Sequence, residues 1–270
     1  MTEPRDVARR SFPWMVLAPC AVFLVLLIVW HTAVQFWQLP KVLLPSPLSV
    51  LQSGWEERMV LVRGTWATGK AAMMGLLGSI VVGSALAVIF SQSQWIRMAF
   101  YPYVIFLQTV PIVAIAPLLI IWMGNGFGTI VTVVMIISIF PIVANVTTGL
   151  LSIDRNWIEL FELHRASRWQ TLIKLRIPIA TAHLVVGMRI ASGLAVIGAI
   201  VGEFFVGNGT SYDGLGSLMT RWQTQLKTDL LMAAVGMSTL LGVLFFLLVN
   251  LLASTILRRW TLALGFESAK

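Results

Sequence analysis

The chain has 270 residues, of which 58% are hydrophobic and 11% charged, against roughly 45–50% and about 25% in an ordinary soluble domain; this excludes a water-soluble globular enzyme and identifies an integral membrane protein. The formal net charge of +8 does not point to nucleic acid, because the basic residues are spread among the connections with no aromatic-interleaved patch, and membrane topology explains them. A hydrocarbon core about 30 Å thick takes roughly 20 apolar helical residues per crossing, so the length accommodates about six crossings and one transmembrane domain over residues 1–270.

Arg5, Arg9 and Arg10 precede an apolar run from Phe12 to Trp37, too long for the core of a signal peptide and therefore a retained first span. Cys20, the single cysteine, is expected to pack within that helix, since Pro19 before it spoils a lipoprotein cleavage site. Hydropathy places the six spans near 13–37, 66–90, 98–122, 128–150, 180–204 and 230–257. With the N-terminus in the cytoplasm, twelve basic residues fall inside (Arg5, Arg9, Arg10, Arg97, Arg155, Arg165, Arg168, Lys174, Arg176, Arg258, Arg259, Lys270) and six outside (Lys41, Arg58, Arg63, Lys70, Arg221, Lys227). The positive-inside rule favours that orientation, with both termini cytoplasmic.

After the first span, the prolines of Leu44-Pro45-Ser46-Pro47 require extended or turn backbone, and the partly amphipathic stretch Leu51 to Val62 predicts a short helix on the outer surface. Gly64-Thr65-Trp66-Ala67-Thr68-Gly69-Lys70-Ala71 nearly spells a phosphate-binding loop, but Ala71 replaces the hydroxyl residue that would hold magnesium and no strand precedes it. Nucleotide binding there is rejected. Gly75, Ser79 and Gly83 on the second span, and Ala191, Ala195 and Ala199 on the fifth, sit four apart and let backbones approach closely, within one subunit or between two. Pro102, Pro111 and Pro117 with Gln108 predict a kinked third span whose freed carbonyls need protein or a polar cavity. Gly124-Asn125-Gly126-Phe127-Gly128 is a glycine-rich turn. His31, His164 and His183 are scattered, so no metal site is expected, and nothing in the chain reads as catalytic.

Between the fourth and fifth spans lies a charged insert, about 152–179. Asp154 is a candidate N-cap for a helix over 154–164 with Trp157, Leu160, Phe161 and His164 on one face, and Arg155–Glu159 and Glu162–Arg165 pairs on the other. Ser167-Arg168-Trp169-Gln170 has the form of a capping box that starts a second short helix, with Trp169, Leu172, Ile173 and Arg176 along one side until Pro178 ends it. Two short cytoplasmic helices of this kind could lie in the lipid headgroups or dock onto a protein.

At this insert the sequence resembles the permease subunits of binding-protein-dependent ATP-binding-cassette importers. Their loop pattern E-A-A-x-x-x-G, followed after nine residues by I-x-L-P, appears here as Glu159-Leu160-Phe161, then Arg165, then Leu175-Arg176-Ile177-Pro178; the glutamate and proline match, the alanines and glycine do not. Leu44-Pro45-Ser46-Pro47, Gln108-Thr109-Val110-Pro111 through Ala116-Pro117-Leu118, Ala166-Ser167-Arg168-Trp169, Gly187-Met188-Arg189-Ile190-Ala191, Gly202-Glu203-Phe204-Phe205 and Gly214-Leu215-Gly216 look like the nitrate, sulfonate, taurine and thiamine-precursor branch. The resemblance implies an all-α membrane protein with the type I importer permease fold. It also implies a dimer of permeases with a homodimer favoured, two ATPase subunits that bind ATP and magnesium, an extracytoplasmic solute-binding protein, and no cofactor in this chain. It makes Glu159, Leu160, Phe161, Glu162, His164, Arg165, Ala166 and Ser167 the ATPase-coupling residues. In the family the motif glycine marks the turn between the two short helices, so Arg165 either bears left-handed strain or the turn differs. Gln108, Asn145 and Glu203 are candidates for a translocation pathway, each with a structural hydrogen-bonding role as the alternative. A self-sufficient secondary transporter would instead need intramembrane ionisable residues, for which only Arg189 and Glu203 qualify.

Overall fold

The computed structural model describes the backbone of residues 12–206 and 212–263, and the side chains of 17–206 and 212–255. Arg5, Arg9, Arg10 and Lys270 of the orientation argument, and the side chains of Arg258 and Arg259, lie outside the described residues. Eleven α-helices are described: α1 (Phe12–Phe36), α2 (Pro47–Glu56), α3 (Arg58–Gln92), α4 (Gln94–Thr109), α5 (Ile112–Met123), α6 (Phe127–Leu151), α7 (Arg155–Leu163), α8 (Arg168–Thr171), α9 (Ile177–Val206), α10 (Leu215–Thr224) and α11 (Thr228–Ala263). Among the described residues five segments are long and apolar enough to cross a membrane, and the bent pair α4–α5 passes the same test only when its two arms are taken together, as a broken span or a re-entrant loop.

That break is a bend of 100°. Of the three prolines expected to kink this span only Pro111 breaks it, because Val110 before it is driven to extended backbone (φ −72°, ψ 125°); Pro102 and Pro117 lie inside α4 and α5. The outer-surface helix is α2, and it is shorter than expected: Glu57 interrupts it, and residues 58–62 already belong to α3. Ser46 caps α2 by accepting from the Ser49 N–H (3.2 Å), with Pro47 at the first helical position. Gly124 takes positive φ (80°) to end α5, and α6 begins at Phe127.

The core is α6, on which α3 and α9 both lie. Ile130, Val133, Val134, Ile142 and Val143 of α6 are fully buried. A Cβ on Gly75 of α3 would stand 2.3 Å from Val134 Cγ1, and one on Gly187 of α9 would stand 2.9 Å from the Pro141 carbonyl oxygen. Ser79 lies 2.8 Å from the Gly75 carbonyl and 3.2 Å from that of Met135 on α6, while Ala191, Ala195 and Ala199 are wholly buried. Both small-residue stripes therefore close contacts inside this chain. By contrast α1 is almost entirely exposed, and Cys20 with it, so the expected packing of Cys20 is not made among the described residues, where α1 packs only lightly, against α2.

Ties at each end fix the layout. At one end Ser53 donates to Asp229 (2.6 Å) and Thr228 to the Val42 carbonyl (2.6 Å), joining α2 and its preceding loop to α11. At the other end Arg176 donates to the Ser91 carbonyl at the foot of α3 (3.2 Å).

The hairpin α7–α8 hangs from this second end. Asp154 caps α7 through the Asn156 N–H (2.9 Å), and the chain turns at Arg165, whose φ is +54°. The Arg165 N–H reaches the Glu162 carbonyl and the Ala166 N–H the Phe161 carbonyl, both at 2.9 Å, which is the double bond pattern of a Schellman turn. The turn is thus intact and Arg165 bears the left-handed conformation. That conformation also takes it out of helical register with Glu162, and the expected Glu162–Arg165 pair is not formed. Ser167 and Gln170 close the capping box at both contacts (3.3 and 2.8 Å). Pro178 does not end the second helix as expected: a π turn over Leu172–Arg176, with the Ile177 N–H bonded to the Leu172 carbonyl, joins α8 directly to α9. The wider turn gives the proline ring room where an α-helix would press it on the carbonyl four residues back. If Arg165 is strained, Arg165→Gly should be more stable than Arg165→Ala by roughly 0.5–1 kcal/mol, the cost of left-handed backbone less the entropy glycine loses. The readout is slower hydrogen exchange of the Ala166 amide in the glycine variant; equal exchange would remove the strain.

Candidate coupling site

Helix α7 has a capped start, a Schellman end and no buried residue. Nevertheless it is strongly two-faced. Trp157 and Leu160 are about half exposed (48% and 42%), and Trp169 and Ile173 beyond the turn are more so. The opposite face carries Glu159, paired with Arg155 (2.9 Å) across one helical turn, and Glu162. The pair is solvent-exposed, so it contributes little to stability. Between α7 and α8 lies a notch of about 410 Å³ floored by Leu160, Phe161 and Ala166 and edged by His164, Gln170 and Lys174. His164 Nδ1 is 2.8 Å from the Leu160 carbonyl; a carbonyl only accepts, so Nδ1 carries the proton and donates. Glu159, Leu160, Phe161, Glu162, His164, Arg165, Ala166 and Ser167 are therefore brought onto one projecting hairpin, whose second arm is continuous with a membrane span.

The three pathway candidates are not brought together, and no hydrogen bond links any two of them among the described residues. Gln108 is exposed beside the α4–α5 break. Asn145 is half-buried on α6 and donates to the Pro141 carbonyl (2.8 Å), the oxygen that Gly187 approaches. Glu203 is wholly buried near the far end of α9.

Around Glu203 the chain builds a clamp. Its carboxylate accepts from the Gly216 N–H (2.8 Å), the Thr68 hydroxyl (3.0 Å) and the Tyr212 hydroxyl (3.2 Å). Thr68 in turn accepts from the Leu215 N–H (2.8 Å), and Tyr212 also reaches the Ala67 carbonyl (2.6 Å). Burial first, then the neighbouring Glu203 charge, push the Tyr212 phenol far above its ordinary range, so it acts as a neutral hydroxyl. These contacts satisfy the first N–H groups of α10 and bind α3, α9 and α10 together. A Cβ on Gly214 would overlap the carboxylate at 2.1 Å, so a larger residue there must displace Glu203 from its partners. Thr68, Tyr212, Gly214 and Gly216 were not foreseen as partners of Glu203. The signal was partial: Gly202-Glu203 and Gly214-Leu215-Gly216 stand out as motifs, but only the fold shows that one holds the other.

The residues resembling a phosphate loop are continuous α-helix in α3, with Gly64, Thr68 and Ala71 buried against neighbouring elements. An uninterrupted helix directs no cradle of N–H groups at a phosphate.

Residues 79–261 match the family described as the binding-protein-dependent transport system inner membrane component. The formylaminopyrimidine transport permease protein ThiX of Halalkalibacterium halodurans is 32% identical over 250 residues, covering 92% of this chain and 97% of that protein. The riboflavin transport system permease protein RibX of Chloroflexus aurantiacus is 32% identical over 260 residues (96% and 95%), and the putative aliphatic sulfonates transport permease protein SsuC of Escherichia coli is 28% identical over 236 (85% and 87%). Among solved structures, an inward-facing form of the MetNI methionine ABC transporter shares the fold with a TM-score of 0.60 at 19% identity, over 76% of this chain and 98% of that one. The family's span takes in α6, the hairpin, Glu203 with α10 and most of α11, and the two relatives at 32% align nearly end to end. This chain belongs to that family, as a transmembrane permease subunit of an ATP-binding-cassette importer with the type I fold.

Proposed function

We propose that the α7–α8 hairpin is the element through which this permease is driven by a separate ATPase. The observation that carries the reading is a capped, two-faced helix with no buried residue, held out from the bundle by a helix continuous with α9. Its apolar residues Trp157 and Leu160 are about half exposed and Phe161 is partly so, and none of them is buried within the chain. Leu160 and Phe161 fill the apolar floor of the ATPase groove, and Glu159 meets a basic group at its edge. Two such ATPases bind ATP and magnesium, so this chain performs no hydrolysis and holds no cofactor. A second permease copy completes a pathway that alternates between the two faces of a bacterial inner membrane. The hairpin end is cytoplasmic, as the distribution of basic residues favours, and the α2–α10 end faces the solute-binding protein. Two relatives at 32% identity carry names of formylaminopyrimidine and riboflavin transport, which favours a vitamin-related heterocycle as solute over a sulfonate or nitrate.

Docking and lipid attachment of the hairpin give opposite signs for one substitution. On an anionic surface each added cation contributes about 1 kcal/mol of attachment, so Glu159→Lys strengthens a lipid-bound hairpin. In an ATPase groove the same change puts like charges together. Glu159→Lys should lower co-purification of the ATPase and uncouple hydrolysis from uptake, whereas Arg155→Ala, which removes only the exposed pair, should leave both near wild type. Full coupled uptake by Glu159→Lys would refute the docking role.

Glu203 separates importer from secondary transporter. As a clamp it needs only to accept hydrogen bonds, and glutamine retains an accepting oxygen. Glu203→Gln should therefore support uptake in proportion to assembled transporter. Glu203→Ala leaves the Gly216 N–H and the Thr68 hydroxyl proton without an acceptor and should lower stability by about 1–3 kcal/mol. Loss of uptake by a stable, fully assembled Glu203→Gln complex would mean that the carboxylate carries a coupling ion.

A further inference from the structure

A groove of about 680 Å³ opens at the α2 end, walled by α2, the first turns of α3 and α11, with Phe23 of α1 at its far side. That volume lies within the roughly 300–1,000 Å³ of sites that hold small ligands. One wall of the groove carries no side chain at Gly236, while Gly54 lets α2 approach α11 closely. Gly54 of α2 faces Ala233, and a Cβ on Gly236 of α11 would meet nothing within 4 Å. Along α11 it runs from Met232 to Leu240, a rise of about 12 Å at 1.5 Å per residue, close to the half-thickness of about 15 Å of a hydrocarbon core. It starts where α11 starts, beside the Ser53–Asp229 tie, and descends toward mid-membrane.

Its wall is apolar apart from Thr239 and, at the open end, Arg58. The Arg58 guanidinium lies 5.0 Å over the Trp55 ring and donates to the Trp55 carbonyl (3.0 Å), which fixes it at the rim. Neither Glu56 nor Glu57, the preceding residues, forms an ion pair with Arg58, and Glu56 is bonded to Gln52. An apolar slot one leaflet long with a cation at its headgroup end matches the chemistry of one class of molecule.

We propose that this groove is a specific site for a glycerophospholipid, with an acyl chain lying along α11 between α1 and α2 and the headgroup phosphate against Arg58. The lipid fills the gap between α1, which packs only lightly against α2, and the rest of the bundle. Neither the coupling role of the hairpin nor the sidedness of the chain enters into this site.

The test uses the full-length permease in its assembled complex, in nanodiscs of phosphatidylglycerol doped with a phosphatidylglycerol bearing a photoactivatable acyl chain. Label should concentrate on residues 232–240 of α11, and native mass spectrometry after detergent transfer should retain phosphatidylglycerol but not diacylglycerol, which has the same chains and no phosphate. Arg58→Gln should reduce retention about fivefold, the equivalent of one charge contact. Gly236→Phe, which projects into open space, should abolish both label and retention with the melting temperature unchanged. Label spread evenly around the bundle, equal retention of diacylglycerol, or indifference to both variants would overturn the proposal. So would a Gly236→Cys disulfide between two copies in place of lipid label, since a second copy would then cover the groove.

Discussion

Everything at the two ends of this molecule depends on the bare contact between α9 and α6. Lipid supplies no hydrophobic drive to bring two apolar helices together, so association rests on how closely backbones can pack. Gly187 stands against the Pro141 carbonyl and Gly198 and Gly202 against Val134 and Ile130, while Ala191, Ala195 and Ala199 are wholly buried. A larger side chain at Gly187 would meet backbone that cannot move aside. Because α3 uses Gly75 and Gly83 against the same helix, α6 locks both neighbours into one three-helix core.

The helix so fixed is long. From Arg168 through the π turn to Val206 it runs 39 residues, roughly 58 Å at the α-helical rise. One end continues into the hairpin; the other carries Glu203 and, through it, α10 and α3. Arg176 adds a tie from the base of the hairpin to the Ser91 carbonyl near the end of α3. A displacement of α7–α8 would therefore be delivered to two spans and, through the clamp, to the opposite face. The clamp is built as a buried carboxylate must be in a dry interior: every contact is a donor held by the fold, two of them backbone N–H groups at the start of α10, one direct and one through Thr68.

Much of this is legible in the sequence where the cause is local. Six apolar runs, the Ser46 and Asp154 caps and the Ser167–Gln170 box depend on residues within a few positions, and each element forms where its signal lies. The hairpin residues were legible as a set for the same reason, with the family pattern supplying their role. What could not be read depends on partners far away in the chain. Pro178 looks like a stop signal, yet the preceding π turn accommodates it. Three prolines on the third span look equivalent, and only Pro111 carries the 100° bend. Glu203 looks like a lone intramembrane charge until Thr68, distant by 135 residues, and Gly216 are folded onto it. Arg165 shows the converse, since a turn that prefers glycine keeps its geometry with arginine because two backbone bonds hold it.

The central claim is that the uncovered face of α7 is covered by an ATPase. Hydrogen–deuterium exchange of residues 155–171, for the permease alone in nanodiscs and in complex with its ATPase, tests it most directly. The account predicts fast exchange at the ends of α7 in the permease alone and strong protection of α7 and the 164–167 turn in the complex, with α2 and α10 unchanged. Equal protection in both samples would mean that the membrane surface, and not the ATPase, covers the hairpin, and the account would be wrong.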